Sequence, residues 1–169
     1  MLLFYGWSDV VPRLLTTNFP CIMLHPSPLP KYRGGSPIQN QIIRGEIDSA
    51  VTLFLMDDGI DTGPIIKTAY LSLEGRISEI FDRIQKVGLA LTQEIFDSGY
   101  TPKEQIHADA TYFARRKPSE SEITQEELLT KSAVYLKNKI RMLEDPYPSA
   151  FIRTADHRKL YIHDVSIEE

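Results

Sequence analysis

An α/β fold is what this sequence predicts, with strands and helices alternating along the chain and a β hairpin at its end, and three observations predict it. Short apolar runs, Leu2-Leu3-Phe4-Tyr5 and Cys21-Ile22-Met23-Leu24, have the length and composition of buried strands. Ile77, Ile80, Phe81, Ile84, Val87, Leu91 and Ile95 recur at spacings of three and four, the pattern of a helix with one buried face. Between such elements lie two stretches rich in Pro and Gly, His25 to Pro37 and Asp57 to Pro64. Each is too stiff for helix or strand and holds one titratable side chain, His25 or Asp61.

The remaining elements follow in order. Gly6 ends the first strand, and a loop from Trp7 to Pro12 leads into a short helix from about Val11 to Thr17. The strand from Cys21 delivers His25, and Pro37 is suited to the first position of a helix that stops near Gly45. Ala50 to Met56 is β-branched and aromatic, hence a strand, and Ile65 to Leu73 reads as another. The long helix ends at Ser98-Gly99, and residues 100 to 124 read as a polar connector crossing the surface. One further helix, with Leu129, Ala133, Leu136, Ile140 and Leu143 on a single stripe, stops before Asp145-Pro146. Ser149 to Phe151 and Leu160 to Val165 read as a hairpin turning near Asp156 and His157.

Composition narrows the function classes. The 169 residues are 42% hydrophobic and 25% charged, enough for a real core. A net charge of -4 gives no general basic field, which weighs against a partner as anionic as tRNA. Cys21 is the only cysteine, so a multi-cysteine zinc site is excluded and a reducing, cytoplasmic setting is expected. No membrane partner is expected, since no apolar stretch reaches about 18 residues.

A His at the end of a buried strand can accept a proton or, once protonated, stabilise an oxyanion, provided a carboxylate orients it. Were the strands leading to His25 and Asp61 neighbours in a parallel sheet, both would face one cleft at the carboxyl edge. Asp57 and Asp58 compete for the carboxylate role, and the glycines around Asp61 favour it. Arg33-Gly34-Gly35 either binds an anion or braces the loop. Trp7 suits a packed aromatic as well as a ligand contact. His107, His157 and His163 lack partners at ligand spacing, and Arg115-Arg116-Lys117 reads as a solvated linker, so no metal site is expected.

His25 to Pro37 and Asp57 to Ile65 resemble the two signature segments of the folate-dependent formyltransferases, a superfamily that includes enzymes acting on glycinamide ribonucleotide, methionyl-tRNA and nucleotide-linked amino sugars. The resemblance implies a partial Rossmann-like sheet with helices on both faces, then a linker helix and a small C-terminal β subdomain. It implies 10-formyltetrahydrofolate as formyl donor and a primary amine as acceptor. His25 would support the tetrahedral intermediate, and Asp61 would orient His25 and help carry the released proton. Tyr5, Gly6, Trp7, Val10, Val11 and Pro12, with Asp58, Gly59 and Ile60, would hold the donor. Ser27, Leu29, Arg33, Gly34, Gly35 and Pro37 would line the acceptor side. Residues 1–105 would form the catalytic core, 106–124 a linker, and 125–169 the linker helix and the start of the β subdomain.

The sequence departs from that pattern twice. The family has Asn two residues before the His, where its amide helps bind the formyl oxygen; here Met23 stands, and a thioether donates no hydrogen bond. Loss of one such donor typically slows a reaction about a hundredfold to a thousandfold. Family members also carry opening strands and helices ahead of the segment matching Leu2 to Pro12, so the chain is expected to be N-terminally truncated, with an exposed sheet edge for another chain or a second copy to cover. The expected acceptor is a nucleotide-linked amino sugar, with methionyl-tRNA second. The alternative to an enzyme is a formyltransferase-like binding module without turnover.

Overall fold

A computed structural model describes residues 1–168. Four strands form the main sheet: β1 (Leu2–Phe4), β2 (Cys21–His25), β4 (Asp48–Leu55) and β5 (Ile65–Ser72), in the order β1-β2-β4-β5. Between β1 and β2 lies the short helix α1 (Arg13–Asn18), which buries no residue. Between β2 and β4 lie the two-residue strand β3 (Arg33–Gly34) and helix α2 (Pro37–Ile42), which starts at Pro37 as its fixed φ favours.

The sheet is mixed, which corrects the expectation of parallel neighbours. β1 and β2 are parallel, but β2 and β4 are antiparallel, as are β4 and β5. Only residues 56–64 join β4 to β5, too few for a crossover connection, so the chain turns straight back. His25 and Asp61 therefore do not meet as two carboxyl ends on one sheet edge. His25 ends β2 opposite Thr52, whereas the loop carrying Asp61 leaves β4 at the other end, opposite Ile22.

Alternation along the strands sorts the two faces. Ile22, Leu24, Val51, Leu53 and Leu71 point to one side and build the main core with Ile38 and Ile42 of α2 and the long helix α3 (Ile77–Ser98). α3 contributes Ile77, Ile80, Ile84, Leu91 and Ile95, the stripe that the periodicity predicts. It approaches β2 closely at Gly88, where a Cβ would lie 2.4 Å from Leu24 Cδ1. The opposite side carries Met23 and Phe54, packed with Leu29, and is covered by loops. By the same register His25 and Thr52 lie on this loop-covered side. The helices that bury residues thus gather on the first face, and the Pro- and Gly-rich segments occupy the second.

After α3 the chain does not simply cross the surface. Strand β6 (Tyr112–Phe113) pairs in parallel with β3, so residues 105–116 strap the His25 to Pro37 loop. The helix expected around Leu129 to Leu143 is two helices, α4 (Gln125–Thr130) and α5 (Ala133–Arg141). The break has a visible cause: Ser132 starts a new helix by accepting the Tyr135 N–H, as Thr124 accepts that of Glu127. Leu129 is consequently 79% exposed and off the buried stripe. The hairpin β7 (Ala150–Arg153) and β8 (Lys159–Ile162) turns at His157, whose φ is +62°. Ala150 joins the main core, which thus runs unbroken from the sheet into the C-terminal part. Among the described residues no helix is long and apolar enough to cross a membrane.

α3 provides a test of this arrangement. Ile80 is fully buried and Leu89 is 70% exposed. Ile80→Ala is expected to lower unfolding stability in urea by about 2–5 kcal/mol, and Leu89→Ala to change it by less than about 0.5 kcal/mol.

Candidate functional site

The site forms where two loops close over the second face of the sheet. The residues ahead of it are fixed first: Gln41 of α2, almost fully buried, donates to the Pro26 carbonyl (2.9 Å), and Ser49 donates to Gln41 Oε1 (2.5 Å). Thr52 Oγ1 donates to the Ser27 carbonyl (2.7 Å). These bonds hold the end of β2, so His25 sits on a rigid strand rather than on a mobile turn.

His25 is 5% exposed, and both of its ring nitrogens face protein groups. Nε2 lies 2.8 Å from the Tyr32 carbonyl. A carbonyl only accepts, so Nε2 is the nitrogen that carries hydrogen in this contact. Nδ1 lies 3.5 Å from Asp61 Oδ2, an ion-pair distance rather than a short hydrogen bond. The same Oδ2 accepts the Gly34 N–H at 2.7 Å. His25, Gly34 and Asp61 are thereby brought together although β2 and β4 are antiparallel, because the 56–64 loop folds back toward the end of β2. Asp57 stays in its own turn, accepting from Gly59 N–H and Thr62 Oγ1, which leaves Asp61 as the carboxylate beside the His.

Both loops hold non-glycine residues in the left-handed region: Tyr32 (φ +60°), Ser36 (φ +49°) and Asp61 (φ +53°). Such backbone persists only where surrounding contacts impose it, and it concentrates at functional sites. Gly34, at φ +92°, could not take a side chain, since a Cβ there would lie 2.4 Å from the Phe113 carbonyl oxygen.

The expected acceptor-side residues divide into two groups. Ser27, Leu29 and Arg33 are buried. Ser27 Oγ donates to Lys31 O, and Leu29 packs with Met23 and Phe54. Arg33 is fully buried; its guanidinium donates to Gln105 Oε1, Tyr112 Oη and His107 Nδ1. Of the two roles open to Arg33, bracing the loop is the one the structure shows; burial leaves Ser27 and Arg33 no solvent-exposed surface and Leu29 8%. Gly34, Gly35 and Pro37 remain half-buried at the rim.

The residues expected to hold a donor lie on two neighbouring loops, joined where Arg13 Nη2 meets Asp58 Oδ2 at 3.4 Å. Tyr5, Gly6, Trp7, Val10 and Pro12 are exposed, as are Asp58, Gly59 and Ile60, whereas Val11 is buried. Trp7 meets the Phe4 ring edge-on at 5.9 Å and is still 50% exposed, and Val10 and Ile60 add apolar surface. A flat, partly apolar ring system fits such a rim better than a polyanion does. Among the described residues no group of three or more His, Cys, Asp or Glu is placed to hold a metal ion.

Sequence reading missed the strap. Gln105, Thr111 and Tyr112 all contact the His25 to Pro37 loop or its guanidinium: Thr111 Oγ1 accepts the Tyr32 N–H, and Thr111 O accepts that of Arg33. Phe113 stacks on Tyr32 at 5.0 Å. His107, expected on the solvated surface, is exposed but lends Nδ1 to Arg33. These residues lie in a polar stretch with no periodicity, so no sequence signal marked them.

The formyl transferase family matches residues 2–91. Methionyl-tRNA formyltransferase of Orientia tsutsugamushi is 38% identical over 152 residues, covering 86% of this chain and 48% of its own. The enzyme of the same name from Lachnospira eligens is 37% identical over 158 residues, covering 90% and 48%. This chain thus spans about half the length of the curated relatives it matches. Among solved structures, methionyl-tRNA formyltransferase from Clostridium thermocellum superposes with a TM-score of 0.89 at 36% identity, over 98% of this chain and 71% of that one. A likely sugar N-formyltransferase from Mycobacterium tuberculosis superposes at 0.82 with 24% identity, over 99% and 73%, a likeness of fold.

Tyr32 offers a measurement of the loop itself. Burial, then the hydrogen bond its hydroxyl donates to Glu46 (2.8 Å), pushes its phenol up to about 12. A group with a raised folded value stabilises fully below its unfolded value near 10, and that contribution is lost as pH rises to 12. Tyr32→Phe keeps the Phe113 stack and is expected to lose about 1–2 kcal/mol at neutral pH. Denaturation across pH should show the gap between the two proteins closing between pH 10 and 12.

Proposed function

This chain belongs to the formyl transferase family, and from that premise we propose that the protein transfers a formyl group from 10-formyltetrahydrofolate to a primary amine, that of methionyl-tRNA. The observation that carries the reading is the meeting of His25 and Asp61, one from each signature loop, at 3.5 Å on a rigid strand end. The acceptor rests on the relatives: proteins 34–38% identical to this chain carry the name methionyl-tRNA formyltransferase. Methionyl-tRNA therefore stands ahead of the nucleotide-linked amino sugar, which only likenesses of fold at 24% identity or below support.

In formyl transfer the amine nitrogen attacks the formyl carbon, the carbonyl electrons move to oxygen, and the tetrahedral intermediate collapses with departure of the folate nitrogen, which takes up a proton. Two needs fall on the protein: a donor to the oxyanion and a carrier for the amine proton. His25 serves the first when Nε2–H exchanges the Tyr32 carbonyl for the oxyanion. Asp61, anchored by Gly34 N–H, orients the ring beside Nδ1 and serves the second, taking the proton that the amine releases and passing it to the departing folate nitrogen. Trp7, Val10 and Ile60 give the donor an apolar rim, and glycines 34 and 35 let the strap's backbone at Phe113 and Arg115 pack directly on the loop that holds Asp61.

Met23 favours a second reading, a formyltransferase-like module that binds without turnover. By register Met23 shares a face with His25, where the family's amide would stand, and it packs instead against Leu29 and Phe54.

The first test is calorimetric titration of the chain with folinic acid, followed by an assay for formylation of methionyl-tRNA. Saturable binding and turnover are expected; a folded chain that does neither sinks the proposal. His25→Ala and Asp61→Asn should each lower kcat by roughly 10²–10⁴-fold, with the double variant little worse than the weaker single one. Met23→Asn should raise kcat by about 10²–10³-fold while lowering stability by about 1–3 kcal/mol, since it places an amide in an apolar cluster. An unchanged rate in that variant favours the binding module.

A further inference from the structure

We propose that Gln105 is a positioning residue for the Asp61 carboxylate, acting as a clasp that locks the two signature loops in register. Its side chain is 5% exposed and uses both ends. The carboxamide nitrogen donates to the Asp61 carbonyl (3.0 Å) and to the Gly63 carbonyl (2.6 Å). The carboxamide oxygen accepts Arg33 Nε (3.2 Å) and Nη2 (2.6 Å). One buried group thus spans from the loop that carries the carboxylate to the residue next to Gly34, whose N–H holds that carboxylate.

The geometry makes the amide specific. Both partners on the loop side are carbonyls, which need a donor; both on the Arg33 side are guanidinium N–H groups, which need an acceptor. Among the side chains only a carboxamide of this length offers two donors at one end and an acceptor at the other. Asp61 is held at φ +53°, a conformation that needs outside support, and its carbonyl is one of the two that Gln105 fixes. Gly63 leaves no slack either, since a Cβ there would lie 1.8 Å from the Leu55 carbonyl oxygen. Backbone bonds between Ile65 and Lys103, 2.8 Å in each direction, bring the strap alongside the loop but end two residues short of Gly63. The Asp61 backbone is held by the Gln105 side chain, as its carboxylate is held by the Gly34 N–H.

Gln105→Glu separates the two ends. The carboxylate still accepts from Arg33 but donates to neither carbonyl, so Arg33 stays braced while the Asp61 loop is released. Hydrogen exchange of the 169-residue chain reads this directly, without turnover. Gly34 N–H should exchange about tenfold faster or more, while Gly35 N–H, bonded to Phe113 O, and the amides of β2 and β4 keep their rates. An unchanged Gly34 rate, or equal acceleration of Gly34, Gly35 and the sheet, overturns the proposal. Gln105→Asn, too short to reach all four partners, is the second variant and should show the same selective acceleration if Gln105→Glu does not fold. The catalytic consequence rests on the formyl transfer reading: kcat should fall about ten- to a hundredfold with the KM for the folate donor within about threefold. A selective exchange change in a chain without transferase activity would uphold the clasp and remove that reading, so the two fail separately.

Discussion

Arg33 is a cation buried in full, and among the described residues no carboxylate forms an ion pair with it. Burying a charge is strongly unfavourable unless its donors are satisfied, and here neutral acceptors satisfy them: Gln105, Tyr112 and His107. All three come from the strap after α3. The His25 to Pro37 loop therefore cannot reach its observed shape by itself, however many prolines stiffen it. It needs a segment seventy-odd residues away to surround the guanidinium, and the strap's parallel pairing with β3 follows from the same demand.

The parts of the site therefore rest on one another in layers. The core beneath the sheet sets β2 and β4, and their register places His25 opposite Thr52. The loop after His25 then turns through Tyr32 and Gly34, both at positive φ, which requires the strap to close over it. Only with Arg33 and Gly34 in place does the Asp61 loop find its two anchors, the Gly34 N–H and the Gln105 amide. Site geometry thus depends on long-range contacts more than on either signature segment.

The legible part of this protein was what local chemistry decides. The β2 run, the long stripe of α3, Pro37 at a helix start and the hairpin turn near His157 all follow from periodicity or from restricted backbone, and the structure has them. His25 and Asp61 were legible as a pair because two stiff loops each carried one such group. Their route to one another was not, since sheet direction depends on a turn of nine residues whose path no pattern records. The strap was illegible for a different reason: Gln105 does its work as one buried amide in a polar stretch, and a single residue has no period. The split between α4 and α5 was recorded in the sequence, at Ser132, but the apolar stripe running across it obscured the cap.

Met23 shows where packing and chemistry pull apart. On the loop-covered face it completes an apolar cluster with Leu29 and Phe54, so the sheet gains from a thioether at that place. The same position lies two residues before His25 on the same face, where a polar amide would serve an oxyanion. A side chain there can satisfy the cluster or the reaction. This chain has the residue that suits the cluster, while every contact around Asp61, from Gly34 to Gln105, is arranged as a site would need it. A scaffold kept only for its core has no use for a carboxylate held at positive φ beside a buried imidazole. The precision of the Asp61 loop therefore supports the proposed formyl transfer over the binding module, and Met23 is the residue at which the two readings part.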